Sequence, residues 1–307
     1  INVLPEKQEP VLILGSGPSL DDMRPFIKEW KHDIMCSTSQ LMWLRSLDIN
    51  PRYIFLIDAD PTMNYLLSNY KPVESLPCPD LITHPCIQRE AIHAWGRLDN
   101  TYFFRMLDPG DPFFTLFLPM AYQTLPIPPK EDNRGVRTYI MNSGNVMNTM
   151  LVFANQKKYS PIVVCGYDLG YPGMQYRFTD YKEVDGKWEA VLPVPVPENR
   201  QFRQSHNGVP TDELCLFYKY STMIMYGMAV PSLLSCSRGI VDEIPYVHPG
   251  AMVKAQGKGF RVRTPWEAYK TAQEYLRYRK IYILKTGFAV SVQNLTETKP
   301  IDKVKVI

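Results

Sequence analysis

The stretch that decides the fold of this chain is Val-Leu-Ile-Leu-Gly-Ser-Gly-Pro-Ser-Leu, residues 11–20. Its four leading apolar residues are typical of a buried strand, and Gly15 and Gly17 then predict a tight turn. Ser19 is a candidate helix N-cap, with Asp22 three residues on. A strand, a glycine turn and a helix start can together present backbone N–H groups to a phosphate. The spacing matches neither G-x-G-x-x-G nor the phosphate loop, so an ordinary strand-to-helix turn is the alternative.

Further apolar runs along the chain are separated by helical patterns. Strands are predicted at residues 33–36, 53–57, 81–83, 101–105 and 161–165, and helices at 19–30, with a restart at Pro25, and at 40–47 and 145–155. Continuous apolar strands that alternate with helices predict an α/β fold, Rossmann-like, with a mostly parallel twisted sheet and helices on both faces. In such sheets ligands bind beyond the carboxyl ends of the strands.

The chain is predicted to comprise a Rossmann-like domain over residues 1–260 and a C-terminal helix and tail, 261–307, packed on it. Two proline-rich stretches, 107–135 and 171–213, predict lid-like loops, and a plain packed loop is the alternative for the first. The C-terminal helix is expected over 264–286, with Thr264 as its cap, Glu267 in a capping box and Gly287 at its end. Its aromatic and basic side chains could suit a nucleic acid or a membrane surface, but docking of the aromatic face on the domain is favoured.

The composition is that of a globular protein with a sizeable core: 307 residues, 45% hydrophobic, 21% charged, net charge +3. This charge is too small to indicate nucleic-acid binding but suits an anionic ligand.

Six cysteines without a C-x-x-C pair indicate reduced thiols and a cytoplasmic location. The spacing of Cys78, His84 and Cys86 fits no zinc pattern. No apolar run reaches the roughly 18–20 residues of a transmembrane helix, and the oligomeric state is left open.

Asp58 and Asp60 end the strand predicted at 53–57. Residues two apart on a strand point to the same face, so the two carboxylates could together hold Mg²⁺ or Mn²⁺ against a nucleotide diphosphate. The alternative is that Asp58 binds a ligand hydroxyl or a loop backbone while Asp60 is solvated.

Three more segments carry candidate site residues. Asn142-Ser143-Gly144-Asn145 leads into a helix, and Ser143 or Asn145 could cap it and turn free N–H groups towards a phosphate or ribose. Gly166-Tyr167-Asp168 follows an apolar strand, where a buried Asp168 needs a partner and either serves the site or caps a turn. His206 lies in a polar loop and is either a general base for a hydroxyl or a surface residue.

Taken together, these segments resemble one family. The motifs are Ile13-Leu14-Gly15-Ser16-Gly17-Pro18-Ser19-Leu20, Ile49-Asn50-Pro51-Arg52-Tyr53-Ile54 before Asp58, Gly144-Asn145-Val146, and Cys165-Gly166-Tyr167-Asp168-Leu169-Gly170-Tyr171. They look like the MptE-like domain, also called DUF115, of Maf-type motility-associated glycosyltransferases and of 6-hydroxymethylpterin diphosphokinase. Residues 207–212 and 235–240 also resemble the Maf type, so that the resemblance spans roughly residues 10–250.

The resemblance implies a fold related to bacterial sialyltransferases that use a CMP-sugar donor. By that analogy the nucleotide would be lined by Gly15, Ser16, Gly17, Pro18 and Ser19. Its phosphate or ribose would lie at Ser143, Gly144 and Asn145, and Asp168 with Gly166 and Tyr167 would face donor or acceptor. Ser37 and Thr38 stand where the sialyltransferases carry an Asn that contacts the donor. His206 is matched to the catalytic base.

Three functions follow from these patterns. The first is a glycosyltransferase that moves a sugar from a nucleotide-activated donor, with a CMP-sugar favoured, to the hydroxyl of a glycan, a protein or another compound. The second is an ATP-dependent diphosphokinase acting on a pterin-like alcohol, which needs Mg²⁺ at Asp58 and Asp60. The third is a binding or structural protein that keeps the nucleotide fold without turnover.

Overall fold

The computed structural model describes residues 4–57, 62–84, 87, 89–107, 139–141, 145–191, 195–196, 202–205, 207–229 and 232–286. The strands are β1 Val11–Leu14, β2 Asp33–Ser37, β3 Tyr53–Leu56, β4 Asp80–Thr83, β5 Thr101–Phe103, β6 Arg105–Leu107, β7 Tyr139–Met141, β8 Ile162–Cys165, β9 Asp180–Val184, β10 Lys187–Val191, β11 Arg203–Gln204, β12 Pro210–Thr211 and β13 Leu233–Ser235. The α-helices are α1 Leu41–Arg45, α2 Thr62–Asn69, α3 Arg89–Trp95, α4 Val146–Gln156, α5 Glu213–Ala229, α6 Pro249–Lys254 and α7 Pro265–Thr286.

The main sheet of the described chain has seven strands in the order β13-β8-β1-β2-β3-β4-β5. All neighbouring strands in it are parallel. From β1 the chain builds outward through β2 to β5, and it later adds β8 and β13 on the other side of β1. The strand order therefore reverses between β1 and β8, which is where sheets of this kind bind ligands. The register pairs Leu14 with Cys165, so the two strands end level with each other.

The core lies on both faces of this sheet, because the side chains of each strand alternate between them. Val11 and Ile13 of β1 pack in one cluster with Phe153 of α4. Leu12 and Leu14 pack in the other cluster, which α1 covers. This arrangement confirms the predicted Rossmann-like α/β fold with a parallel sheet and helices on both faces.

The segment after the glycine turn is interrupted around Pro25, as predicted, but it is not α-helical. It forms two short 3₁₀ helices, Pro18–Met23 and Ile27–Glu29. Pro25 lacks the N–H group that an unbroken helix needs, and it falls between them. Gly17 occupies the N-cap position without a side-chain cap, so the expectation that Ser19 caps this helix was wrong.

Two other segments that were each predicted as a single strand or loop form more than one element in the structure. The strand expected at 101–105 forms β5 in the main sheet and β6, which pairs with β7 in a separate sheet. Within the expected long loop at 171–213, β9 and β10 form an antiparallel hairpin and β11 pairs with β12. Most of the lid-like stretch 107–135 lies outside the described residues.

The C-terminal helix α7 begins as predicted. The Thr264 N–H donates to Glu267 Oε2 at 2.8 Å, and the Glu267 N–H donates back to Thr264 Oγ1 at 3.2 Å, which confirms the capping box. The proposed end at Gly287 lies outside the described residues.

Helix α7 packs on α5 through small residues and through one of its aromatic side chains, Tyr275. A Cβ added at Gly227 of α5 would lie 2.2 Å from the Ala268 carbonyl oxygen, and Ala272 is also in contact. Trp266 and Tyr278 of α7 are 62% and 50% exposed. Tyr275 of the same helix is 8% exposed, and its ring centre lies 5.6 Å from that of Tyr220 of α5. The aromatic face of α7 therefore docks through Tyr275, while Gly227 lets the two helix backbones approach beside it.

Two further observations concern the chain as a whole. Among the described residues, no helix combines the length and the apolar character needed to cross a bilayer. The five described cysteines, Cys36, Cys78, Cys165, Cys215 and Cys236, form no disulfide with one another.

Candidate functional site

A cavity of about 410 Å³ opens at the carboxyl ends of β1 and β8, at the point where the strand order reverses. Its lining comes from the ends of these strands, from the segment after β8 and from the starts of α4 and α5. The lining residues are Ser16, Gly17, Ser39, Asn145, Met147, Gly166, Tyr167, Asp168, Leu169, Gly170, Tyr171, Tyr176, Arg177, Asp212, Leu214, Cys215 and Tyr218.

The two glycine turns that floor the cavity touch each other through their backbones. The Gly15 N–H donates to the Cys165 carbonyl and the Gly17 N–H to the Gly166 carbonyl, both at 2.7 Å. A Cβ at Gly15 would lie 2.4 Å from the Gly166 oxygen. Of these glycines only Gly166 has a positive φ, +70°. Close approach, and not an unusual backbone conformation, is thus the reason for glycine at 15 and 17.

Asp168 is buried beneath this contact, and both of its carboxylate oxygens accept hydrogen bonds from the protein. Its Oδ2 accepts the Ser19 N–H at 2.8 Å, and its Oδ1 accepts the Ser19 hydroxyl at 2.5 Å and the Arg238 N–H at 3.1 Å. The carboxylate thus caps the 3₁₀ helix Pro18–Met23 from the segment that follows β8, and the expected partner of this buried acid is found. Burial raises the pKa of Asp168, and these hydrogen bonds offset part of the rise.

A second glycine holds Asp168 from the other side. A Cβ at Gly239 would lie 1.8 Å from the Asp168 carbonyl oxygen, and the same oxygen accepts the Ile240 N–H at 2.8 Å. The N–H groups of Gly15, Gly17 and Ser19 are all bound within the protein. The turn therefore offers a ligand fewer backbone donors than a phosphate-binding loop would.

Asn145 caps α4, and it is one of the two residues, Ser143 and Asn145, that were predicted for this role. Its side-chain oxygen accepts the Asn148 N–H at 2.9 Å, and its Nδ2 donates to the Tyr167 hydroxyl at 3.3 Å. The Tyr167 hydroxyl donates to Asn148 Oδ1 at 3.1 Å and pairs with Thr222 at 2.5 Å. Burial raises the pKa of Tyr167, so this tyrosine is a neutral element of the cavity wall. Ser143 and Gly144 lie outside the described residues.

Ser37 and Thr38 lie behind the cavity and Ser39 is the residue that lines it. Ser37 caps the next 3₁₀ helix, Thr38–Gln40, through a capping box with Gln40. Gln40 Nε2 donates to Ser16 Oγ at 2.6 Å. This contact leaves the Ser16 hydroxyl proton to donate to another acceptor. Gly15, Pro18 and Ser19, which were also predicted as site residues, are likewise not among the residues that line the cavity.

Arg177 is a cavity residue that sequence reasoning missed. Its Nη2 contacts Asp180 at 3.2 Å and the Ser39 carbonyl at 3.5 Å, and its buried Nε has no hydrogen-bond partner among the described residues. The following residues tie the segment to the turn, because the Phe178 N–H donates to the Ser16 carbonyl at 3.2 Å and Thr179 donates to Asp21. No local motif marks this arginine; only its place in an aromatic stretch is visible in the sequence.

The start of α5 forms the opposite wall and was also missed. Asp212 accepts the Cys215 N–H at 2.8 Å and the Tyr171 hydroxyl at 2.6 Å. The Tyr171 pKa is raised, chiefly by burial and by this acidic partner. An aspartate three residues before a helical Cys215 is a capping signal that could have been read from the sequence.

Besides Ser143 and Gly144, three more predicted site residues, Asp58, Asp60 and His206, lie outside the described residues. Beside His206, Asn207 donates from its side chain to the Gly239 carbonyl at 2.9 Å, next to the backbone of Asp168. Within the described ranges, no group of three His, Cys, Asp or Glu side chains could hold a metal ion.

Comparison with known proteins adds a family and a related fold. A search of curated proteins finds no match. A solved structure, that of the Maf glycosyltransferase from Magnetospirillum magneticum AMB-1, is similar with a TM-score of 0.53 and 17% identity. The similarity covers 89% of this chain but 38% of that one, so the chain spans well under half of its length. The profile of the family described as "6-hydroxymethylpterin diphosphokinase MptE-like" matches residues 1–174. The chain therefore belongs to the MptE-like family.

Proposed function

We propose that this chain is a glycosyltransferase that moves a sugar from a nucleotide-activated donor to an acceptor hydroxyl, with a CMP-sugar as the favoured donor. The observation that carries the proposal is the cavity at the β1/β8 switch point with Arg177 in its wall. The Maf glycosyltransferase has a related fold, and its name supports the same reaction class.

In this proposal Arg177 meets the negative charge of the donor. The N–H groups of Gly15, Gly17 and Ser19 are bound within the protein, so the phosphate needs other donors. The Arg177 side chain is 29% exposed and pairs with Asp180 at 3.2 Å, and its remaining guanidinium N–H groups can supply a charge-assisted hydrogen bond. The Ser16 hydroxyl and the second amide proton of Asn145 are neighbouring donors in the same lining.

The transfer itself forms one bond and breaks one. The acceptor oxygen attacks the anomeric carbon of the donor, the bond from that carbon to the phosphate oxygen breaks, and CMP leaves with the electron pair. We assign removal of the acceptor proton to His206. We assign Asp168 a positioning role, because its oxygens hold Ser19 and Arg238 and thereby fix the turn under the donor.

Nucleotide binding is the first test. CMP is expected to raise the Tm of the chain, because a ligand at about a hundred times its Kd adds roughly 2.7 kcal/mol to the stability. CDP, UDP, GDP, ADP and ATP are compared with it, each with and without Mg²⁺. Arg177→Gln is expected to weaken the binding of the stabilising nucleotide by about tenfold or more, because it removes a charge-assisted hydrogen bond.

Arg261→Gln is the matched control, because its side chain is 85% exposed and lies away from the cavity lining. It is expected to leave the nucleotide affinity unchanged. Stabilisation by none of the six nucleotides, or equal affinity in the Arg177 and Arg261 variants, would contradict the proposal.

A second prediction concerns the base. His206→Ala is expected to lower the release of CMP from the donor to an acceptor by about 10²–10⁴-fold, while the rise in Tm with CMP persists. The same change at the exposed His93 of α3 is the control and is expected to have no effect on either measurement. Full turnover in the His206 variant would remove this residue as the base.

The family profile favours one alternative, an ATP-dependent diphosphokinase of the MptE type. In that reaction Asp58 and Asp60 would hold Mg²⁺ and the transferred group would come from ATP. The nucleotide panel separates the two activities, because stabilisation only by ATP with Mg²⁺ favours the kinase. Binding without product from any donor would favour a non-catalytic nucleotide-binding protein.

A further inference from the structure

Aromatic rings stand exposed at the rim of the cavity. Tyr176 is 42% exposed and Phe202 is 36% exposed, whereas Tyr171 beneath them is buried. The Tyr171 ring centre is 6.1 Å from that of Tyr176, with the planes 14° apart, and 5.6 Å from that of Phe202, with the planes 76° apart. We call these three rings the aromatic platform. Exposed apolar rings that border a cavity mark a binding surface.

The platform is held from below and from both sides of Tyr176. The Tyr171 hydroxyl donates to Asp212, and its N–H donates to the Pro210 carbonyl at 2.8 Å. Gln175 forms a β-bridge with Pro195, and the Phe178 N–H donates to the Ser16 carbonyl. The ring of Tyr176 therefore extends from a segment that is fixed before and after it, which lowers the entropic cost of binding against it.

The chemistry of the platform suits a sugar ring. A pyranose has apolar faces of C–H groups and a rim of hydroxyls, so it packs on an aromatic ring and keeps its hydroxyls in water. A nucleobase or a pterin also needs in-plane hydrogen bonds to its edge. Beneath the exposed rings, the Tyr171 hydroxyl and Asp212 are already joined to each other at 2.6 Å.

We propose that the aromatic platform is the acceptor subsite and that the acceptor hydroxyl belongs to a sugar, so that the product is a glycosidic bond between two sugars. The inference rests on the proposed glycosyltransferase function and names its acceptor class. Tyr176 lines the same cavity as Arg177, the adjacent residue that we assign to the donor phosphate. Donor and acceptor would therefore meet across this pair of neighbouring residues.

Saturation-transfer NMR of the full chain with CMP present tests the inference, with methyl β-D-galactopyranoside and methyl β-D-glucopyranoside as probes. At least one glycoside is expected to receive saturation, mainly at the C–H protons of one ring face. Tyr176→Ala is expected to weaken that binding by about tenfold, because a ring face is lost, and Phe202→Ala is expected to weaken it less. The rise in Tm with CMP is expected to persist in both variants.

Tyr269→Ala is the matched control, because this tyrosine is equally exposed, at 42%, but lies on α7. It is expected to leave the glycoside signal unchanged. Stabilisation by CMP without any glycoside signal overturns the acceptor subsite and leaves the proposed function standing. A glycoside signal that Tyr176→Ala does not reduce also overturns it. So does a signal from 6-hydroxymethylpterin, and not from the glycosides, that depends on Tyr176.

Discussion

Replacing Asp168 with alanine is expected to lower the free energy of unfolding by about 3 kcal/mol or more, because three donors lose their acceptor in a buried site. These donors are the N–H and hydroxyl of Ser19 and the N–H of Arg238. Urea denaturation measures the loss. The stabilisation by CMP should fall with it, because the turn under the cavity is no longer held against β8. The sequence left two roles open for Asp168, a site residue or a turn cap, and the hydrogen bonds to Ser19 show that it caps the turn.

Two variants make this prediction specific. Asp168→Asn is expected to lose less, because its amide oxygen still accepts from one side, although its NH₂ group now faces the remaining donors. Asp22→Ala breaks the ion pair with Arg238, whose side chain is 53% exposed, and is expected to cost under about 1 kcal/mol. If Asp168→Ala costs no more than Asp22→Ala, the carboxylate does not hold the turn.

Lys219→Met is expected to destabilise the chain by about 3–5 kcal/mol, because it leaves a buried carboxylate without its cation. Lys219 of α5 is 4% exposed at its side chain, and its Nζ lies 3.0 Å from Glu243 and 3.4 Å from Asp242. It also donates to the Ile240 carbonyl at 2.5 Å, while Tyr275 of α7 donates to Glu243. The Lys219–Glu243 ion pair therefore connects α5 and α7 with the segment around Ile240 that contacts the backbone of Asp168.

The pH dependence of this loss follows from Glu243. Burial raises the pKa of Glu243 and Lys219 opposes the rise, so the pKa in the variant should be higher still. A folded-state pKa above the unfolded value gives stability that is present at low pH and is lost as pH rises through the folded pKa. The difference between wild type and Lys219→Met should thus be smaller at pH 5 than at pH 8. The double variant Lys219→Met/Glu243→Gln should recover part of the lost unfolding free energy at pH 8. If it recovers none, the destabilisation by Lys219→Met comes from lost packing and not from the unpaired carboxylate.

The elements that were predicted correctly depend on neighbours in the sequence. The apolar run at β1, the capping box of Thr264 and Glu267, and the cap of α4 by Asn145 are all decided within about four residues. The predicted helix at 19–30 failed for the same kind of reason. Pro25 lacks the N–H group that an unbroken helix needs, and Asp168 replaces the local cap.

Part of the candidate site could be predicted and part could not. Ser16, Gly17, Asn145, Gly166 and Asp168 were predicted from the sequence, and the structure brings them together around one cavity. Arg177 was missed, because a charged residue in a loop carries no periodic signal. The start of α5 was also missed as part of the site, although the capping signal of Asp212 is present in the sequence. The contact between Gly227 and the small residues of α7 was missed because close approach of two helices depends on how they cross in space, which no local pattern shows.

By itself, the sequence determined the strand run, the glycine turns and the helix starts, because backbone propensity, proline geometry and capping act over a few residues. The tertiary structure alone decided what those residues do. Ser19 and Asp168 are 149 positions apart, yet their hydrogen bonds fix the turn. Gly15 and Gly17 are needed because two backbones meet there, and Arg177 belongs to the cavity because its segment folds onto that turn. Such contacts depend on sheet order and on close approach in space, which no local pattern encodes.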